Sequence, residues 1–199
     1  MLVPPDVVVV VQAYDPESLV PNVPMVVTKC IAVVEQNLDE LGIYRVSGNS
    51  SHIQALSLEC NTDVGLVDLK RVPDVNNCTG LMKLYFRELA DPVYTEELYP
   101  EFIIAAKISD KTARVKKLRQ LFGQLPEVNQ ATLRFVFAHL LRVVSHEESN
   151  KMRMNNVAIV FGPTLLRRIH PTSTEIIMDA PYQTSVVEEM LREYEVFRE

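Results

Sequence analysis

Three groups of side chains in this sequence could do chemistry, and none contains an acid, a base or a nucleophile. Arg45 stands in the stretch GIYRVSG, between Tyr44 and Val46 and flanked by Gly42 and Gly48. Arginine keeps its charge at physiological pH and is almost never fully buried without a partner. Either something inside the protein neutralises it or something outside does. Lys83 and Arg87 lie four residues apart in LMKLYFREL, where like charges repel by a few tenths of a kcal/mol on an isolated helix. Asn156 interrupts the apolar pattern of NKMRMNNVAIVFG, and asparagine is a poor interior helix former because its amide competes for backbone hydrogen bonds. Positive charge and hydrogen-bond donors suit phosphoryl transfer. Its transition state spreads negative charge over oxygens, so catalysis there is positioning and electrostatic stabilisation.

Each group also has a plainer reading. Asp91 could offset Lys83 and Arg87 from the next turn, and Asn156 could be a buried amide bonded to a neighbouring loop carbonyl. Other chemistry has less support. The sequence has no GxxxxGK[ST] phosphate loop and no serine in a nucleophile elbow. His139 falls at helical spacing with Val136 and Val143, as a core or boundary histidine would, and His146 in SHEESN has no partner at metal spacing. Cys30, Cys60 and Cys78 are odd in number and form no CxxC, which suggests neither a disulfide framework nor a zinc site. No metal site is expected. The basic run KTARVKKLR, from Lys111 to Arg119, reads as a solvated helix face.

The elements that must position these residues are helices. VPMVVTKCIAVVEQNLDELG carries its apolar residues at helical spacing and is expected to end at Gly42, placing Arg45 in the loop just beyond. SSHIQALSLEC follows, capped by Ser50 or Ser51, then DVNNCTGLMKLYFREL, closed by residues 90–92. In that helix Asn76, Gly80, Lys83 and Arg87 form one narrow polar stripe. TEELYPEFIIAAKIS with Thr95 as cap, DKTARVKKLRQLFGQL capped by Asp110, and PEVNQATLRFVFAHLLRVVSHEE with Pro126 in its first turn come next. NKMRMNNVAIVFG is expected to stop at Gly162-Pro163, and TSVVEEMLREYEVFRE to follow a proline-rich loop. The class is all-α, with about eight or nine helices.

A chain of 199 residues, 47% hydrophobic and 23% charged, fits one globular domain. Its net charge of -6 argues against a nucleic-acid partner, which would need a broad basic surface. Any functional basic patch must be local. The run Val7 to Val11 is too short for a membrane span or a signal core. The reading is a valine-rich extension over 1–20, a domain over 21–199, no transmembrane segment and a cytoplasmic location.

GIYRVSG, LMKLYFREL and NKMRMNNVAIVFGPTLL, in that order, resemble the GTPase-activating (RhoGAP) domain of Rho-family regulators, from Pro24 to Arg167. With ELYPEF added, the wording is most similar to the domain of the breakpoint-cluster-region protein and its close relative, then to chimaerins. The resemblance implies that Arg45 is an arginine finger, entering the nucleotide site of a GTP-bound Rho-family GTPase of Rac type. The partner carries the GTP and magnesium and orients the attacking water with its own glutamine, so no cofactor is implied for this chain. Lys83 and Arg87 would hold the finger loop and meet the partner's acidic switch surface, Asn156 would contact the switch region, and Asn150 would be structural. Gly42 and Gly48 would let the loop turn tightly, with Ile43 and Val46 as its anchors. Recruitment to membranes would come through other domains.

The chain departs from the family at ELADPV, where ELPEPL is frequent, at Ser57, and over NTDVGLVDLKRVPD, which bears on partner preference. Two other readings stay open. One is a module that binds GTP-loaded Rho-family GTPases without accelerating hydrolysis. The other is a helical scaffold whose Arg45, Lys83 and Arg87 pair internally with acids such as Asp91.

Overall fold

The computed structural model describes residues 22–198, and the valine-rich stretch lies outside them. Among the described residues there are ten α-helices and no strand: α1 (Met25–Val34), α2 (Ser50–Asp63), α3 (Val75–Glu88), α4 (Tyr99–Ala106), α5 (Lys111–Phe122), α6 (Glu127–Ser145), α7 (Glu147–Asn150), α8 (Met154–Leu165), α9 (Ser173–Arg192) and α10 (Tyr194–Phe197). Eight exceed a single turn, so the all-α class and the helix count match the sequence.

α8 packs along α9 and beside α3, and α3 also holds α1 and α2. Close approach of α8 and α9 requires Gly162, where a Cβ would lie 2.8 Å from the Thr184 amide nitrogen. That contact explains why α8 does not stop at Gly162-Pro163 but runs on to Leu165. Pro163 removes one helical hydrogen bond, while Thr164, Leu165 and Leu166 are buried and hold the last turn in place.

α9 also differs from expectation. It begins at Ser173, where Thr172 and Glu175 form a capping box, and passes through Pro181. Its first turns leave Ile176, Ile177 and Met178 exposed, so no periodic burial marks them in the sequence.

Caps follow side-chain chemistry. Asp74 and Asp110 cap α3 and α5 through accepted backbone N–H groups. α2 is capped by Asn49 rather than by either serine, because Asn49 sits in extended backbone with its side-chain Oδ1 accepting the His52 N–H. Pro126 takes the N-cap position of α6, one residue ahead of the first turn. Thr95 does not cap α4. It adopts a left-handed φ of 56° and accepts the Leu98 N–H in a turn ahead of the helix. α2 is unusual in having no fully buried residue, although Ile53 and Leu56 rest partly covered toward α3.

The basic face of α5 is tied down by neighbours: Lys111 pairs with Glu193 just past α9, Arg114 with Glu189 of α9, and Lys117 with Glu101. Among the described residues no helix is long and apolar enough to cross a membrane.

Candidate functional site

The loop carrying Arg45 is longer than the sequence suggests, because α1 ends at Val34 rather than at Gly42. Beyond it the side chains of Gln36, Leu41 and other residues meet solvent, and the chain continues as consecutive turns. Gly42 takes a φ of 71°, and its N–H donates to the Asn150 carbonyl at 2.7 Å. A side chain there would be doubly penalised, since a Cβ would also lie 2.8 Å from Val46 Cγ2.

Tyr44 then adopts a φ of 68°, a left-handed conformation that is strained for a bulky residue. Three contacts hold it there. Its ring packs edge-on against Phe161 of α8 with centroids 4.9 Å apart, its hydroxyl donates to His139 Nε2 at 2.7 Å, and its carbonyl accepts Lys83 Nζ at 2.5 Å. Ile43 and Tyr44, both fully buried, are therefore the anchors. Val46 is 44% exposed and is not one. Gly48 serves close approach instead of turning: a Cβ there would stand 2.6 Å from the Asn76 carbonyl oxygen and from Asn77 Oδ1.

Between these fixed points Arg45 is exposed, and its side chain makes no hydrogen bond or ion pair to any described residue. Its guanidinium lies over Gly42, close to where a Cβ would be.

His139 is the core histidine the spacing suggests, with a link to the loop that spacing could not show. Burial pushes its pKa down to about 4. The neutral ring accepts from Tyr44 at Nε2, so Nδ1 carries the proton and donates to Glu35 at 3.0 Å. Burial of Glu35 would raise its pKa, but hydrogen bonds from Arg142 and His139 outweigh that and lower it.

The folded His139 value lies below the ordinary 6.5. The fold thus binds fewer protons than the unfolded chain between the two values, and stability is lost as pH falls from about 6.5 toward 4, by about 2 kcal/mol at pH 5. Glu35 acts in the same direction lower down. Melting curves at pH 7 and pH 5 are expected to show this loss, and His139→Gln, which keeps both hydrogen-bonding roles without titrating, is expected to flatten it.

Lys83 and Arg87 share α3 but not a task. Lys83 is half-buried, and burial first, then the charge of Arg87, lowers its pKa. Its ammonium caps the Tyr44 carbonyl, the residue before Arg45. Arg87 points to solvent and makes no hydrogen bond or ion pair among the described residues. Among the described residues Asp91 forms no ion pair with either of them; its carboxylate accepts the Glu96 N–H. Replacing Lys83 by methionine keeps the stem and leaves the Tyr44 carbonyl unsatisfied. Thermal melts are expected to show a loss of about 1–3 kcal/mol.

Asn156 is half-buried, and its amide donates to the Lys151 carbonyl at 3.1 Å, so it does bond a loop carbonyl, while its side-chain oxygen has no hydrogen bond among the described residues. Lys151 itself is left-handed, at a φ of 60°. Asn150 is fully buried and wholly engaged. It donates to the carbonyls of Leu38 and Val143, both at 2.8 Å, and accepts the Met152 N–H at 2.7 Å. Its own carbonyl receives Gly42, so the loop and the start of α8 are joined through this residue. Among the described residues no group of three metal-ligating side chains comes together.

Lys83 of α3 is thus bonded to the residue before Arg45, with Arg87 one turn further along that helix, and Gly42 of the loop is bonded to Asn150, just ahead of α8, which carries Asn156. The sequence model of the RhoGAP domain matches residues 24–170. The chain belongs to the RhoGAP domain family. It is 43% identical over 175 residues to human Rho GTPase-activating protein 27, covering 86% of this chain and 20% of that protein. It is 37% identical over 180 residues to mouse Rho GTPase-activating protein 23, covering 88% and 12%. Bovine N-chimaerin is 39% identical over 176 residues, covering 87% and 53%. The chain therefore spans a fifth or less of the first two relatives and about half of the third. The crystal structure of human Rho GTPase activating protein 15 superposes with a TM-score of 0.81 at 36% identity, covering 89% of this chain and 84% of that one. The RhoGAP match ends at residue 170, just before α9, whose packing on α8 completes the domain.

Proposed function

We propose that this RhoGAP domain accelerates GTP hydrolysis by a Rho-family GTPase of Rac type, inserting Arg45 in trans to neutralise charge that develops between the β- and γ-phosphates. The supporting observation is an arginine with an exposed, unpartnered side chain on a loop whose preceding residues, Gly42 to Tyr44, are held in place. Electrostatic catalysis gains most from a charge already positioned, because little reorganisation is then needed at the moment of reaction. In this reading Lys83 keeps the loop's shape, while Arg87 and Asn156 meet the acidic switch surface of the GTP-bound partner, which contributes its own magnesium and catalytic water. The domain works in the cytoplasm and is brought to membranes by other parts of the protein.

The scaffold reading loses its main support, because among the described residues neither Arg45 nor Arg87 has a side-chain partner and Asp91 forms no ion pair with them or with Lys83. The test is single-turnover hydrolysis by purified Rac-type and Rho-type GTPases loaded with GTP, with and without the domain. Acceleration of the Rac-type partner by at least a hundredfold is expected. Tight binding with unchanged hydrolysis would favour the non-catalytic module instead.

A further inference from the structure

We propose that Glu35, at the end of α1, is a positioning residue for Arg45, acting on it from the far end of a hydrogen-bonded chain that runs through His139 and Tyr44. The inference rests on the function proposed above and adds to it a residue outside the loop and outside the proposed partner contacts.

Helix formation does not explain a carboxylate at this place. Glu35 is the C-cap of α1, where the backbone carbonyls leave the helix end negative and an acidic side chain is unfavourable. Its carboxylate is committed to α6 instead. One oxygen, Oε1, accepts the His139 Nδ1–H at 3.0 Å and the Arg142 Nε–H at 2.7 Å, and Arg142 Nη2 donates to it as well.

The direction of these bonds carries the argument. A carboxylate only accepts, so Glu35 keeps the proton of the neutral His139 ring on Nδ1 and leaves Nε2 as an acceptor. Nε2 faces the Tyr44 hydroxyl at 2.7 Å. With the proton on Nε2 instead, that hydroxyl would have to turn and accept. Its own proton would then find Met82 Sδ, a weak acceptor 3.4 Å away. Glu35 thus selects the tautomer that ties down the tyrosine.

Tyr44 is the residue before Arg45, and its left-handed φ of 68° persists only while its surroundings over-determine it. The His139 bond is one of three restraints, beside the Phe161 ring and Lys83. Loosening it widens the range of directions from which Arg45 starts. Transition-state stabilisation depends on a charge already in position, so the cost falls on the rate. Arg87 and Asn156, the proposed contacts to the partner surface, belong to α3 and α8 and take no part in the chain, so affinity is spared.

The test is hydrolysis by a GTP-loaded Rac-type GTPase as a function of domain concentration, for the intact domain, Glu35→Ala, Glu35→Gln, Tyr44→Phe and Asp39→Ala, each well below its melting temperature. Glu35→Ala and Tyr44→Phe are expected to lower the saturated rate roughly tenfold and to leave the half-saturating concentration unchanged. Glu35→Gln is expected to keep most of the rate, because an amide oxygen can accept the same bonds. Asp39 is the control. It lies nearer to Arg45 in the sequence and also pairs with a histidine, His146 at 2.9 Å, but among the described residues neither member of that pair is bonded to Tyr44. Asp39→Ala is expected to behave like the intact domain.

An undiminished saturated rate in folded Glu35→Ala would overturn the proposal while leaving the GTPase-activating reading intact. An equal loss in Asp39→Ala would also overturn it, since loosening of the whole segment would then suffice. A change confined to the half-saturating concentration would do the same by making Glu35 a docking residue. Should Glu35→Ala fail to fold, Tyr44→Phe, which keeps the ring against Phe161, decides by the same criteria. No acceleration by the intact domain would remove the underlying reading and this inference with it.

Discussion

Arg45→Ala is expected to slow the stimulated hydrolysis by about 10³ to 10⁵, which corresponds to roughly 4–7 kcal/mol of barrier. The same substitution is expected to leave the melting temperature where it was. Arg45 is exposed and unbonded, and exposed substitutions away from structural features usually stay within about 0.5 kcal/mol. These two results together separate a catalytic charge from a structural one. Arg45→Lys sharpens the comparison, because an ammonium keeps the charge but not the planar fork that spans two phosphate oxygens. It should recover a minor part of the rate, measured by single turnover at saturating domain. A melting temperature that falls with the activity would show that the arginine holds the loop together and would sink the catalytic assignment.

Asn150→Ala should have the reverse profile. It leaves the Leu38 carbonyl and the Met152 N–H without partners in a fully buried site and takes one of two donors from the Val143 carbonyl, which keeps the His146 N–H. Each orphaned group costs about 1–3 kcal/mol, and the two together should remove about 2–6 kcal/mol, a large share of a typical stability of roughly 5–15 kcal/mol. A drop of on the order of 10 °C or more in melting temperature is the expected reading. Activity should fall as well, since Leu38 lies in the loop before Arg45 and loses its bond to the Asn150 side chain, while the backbone carbonyl of residue 150 that receives Gly42 sits in the same destabilised turn. Asn156→Ala, which gives up a single 3.1 Å bond at a half-buried position, should barely change the melt. Chemical denaturation of the two variants side by side checks the contrast, and equal effects would contradict the division of labour between the two asparagines.

Much of this was legible in the sequence because it depends on periodicity and on residue types that have few places to go. The helices α3, α5, α6 and the start of α8 follow from their spacing and caps. The oddness of Arg45 follows from charge alone. What periodicity missed depends on contacts distant in sequence. The apolar pattern of α1 continues past Val34, yet the chain there is drawn into turns by the buried Ile43 and Tyr44 and by the Asn150 carbonyl, about a hundred residues away. Pro163 reads locally as a stop, but the backbone of α9 against Gly162 keeps the last turn of α8 folded. The first turns of α9 carry exposed isoleucines and so show no buried stripe to read.

The least visible part was how the loop is held. Tyr44 looked like an apolar neighbour of Arg45, and nothing local indicates that its hydroxyl reaches His139 or its carbonyl Lys83. The Lys83–Arg87 pair looked like one unit, whereas depth in the fold divides it: the half-buried cation serves the backbone and the outer one points to solvent. A tyrosine next to a lone loop arginine, with a histidine on a core helix, is the only sequence signal that could have suggested the link.

The absence of any fully buried residue in α2 has a consequence for the motions of the domain. A helix with so little apolar burial should open at a small fraction of the global unfolding free energy, and its amides should exchange with deuterium well before those of α3 or α8. The loop's anchors, from Gly42 to Tyr44, all precede α2 in the chain and attach to other helices. Fraying of the segment that follows the arginine would therefore propagate only as far as Gly48, packed against α3, and the arginine would keep its posture while its downstream neighbour breathes.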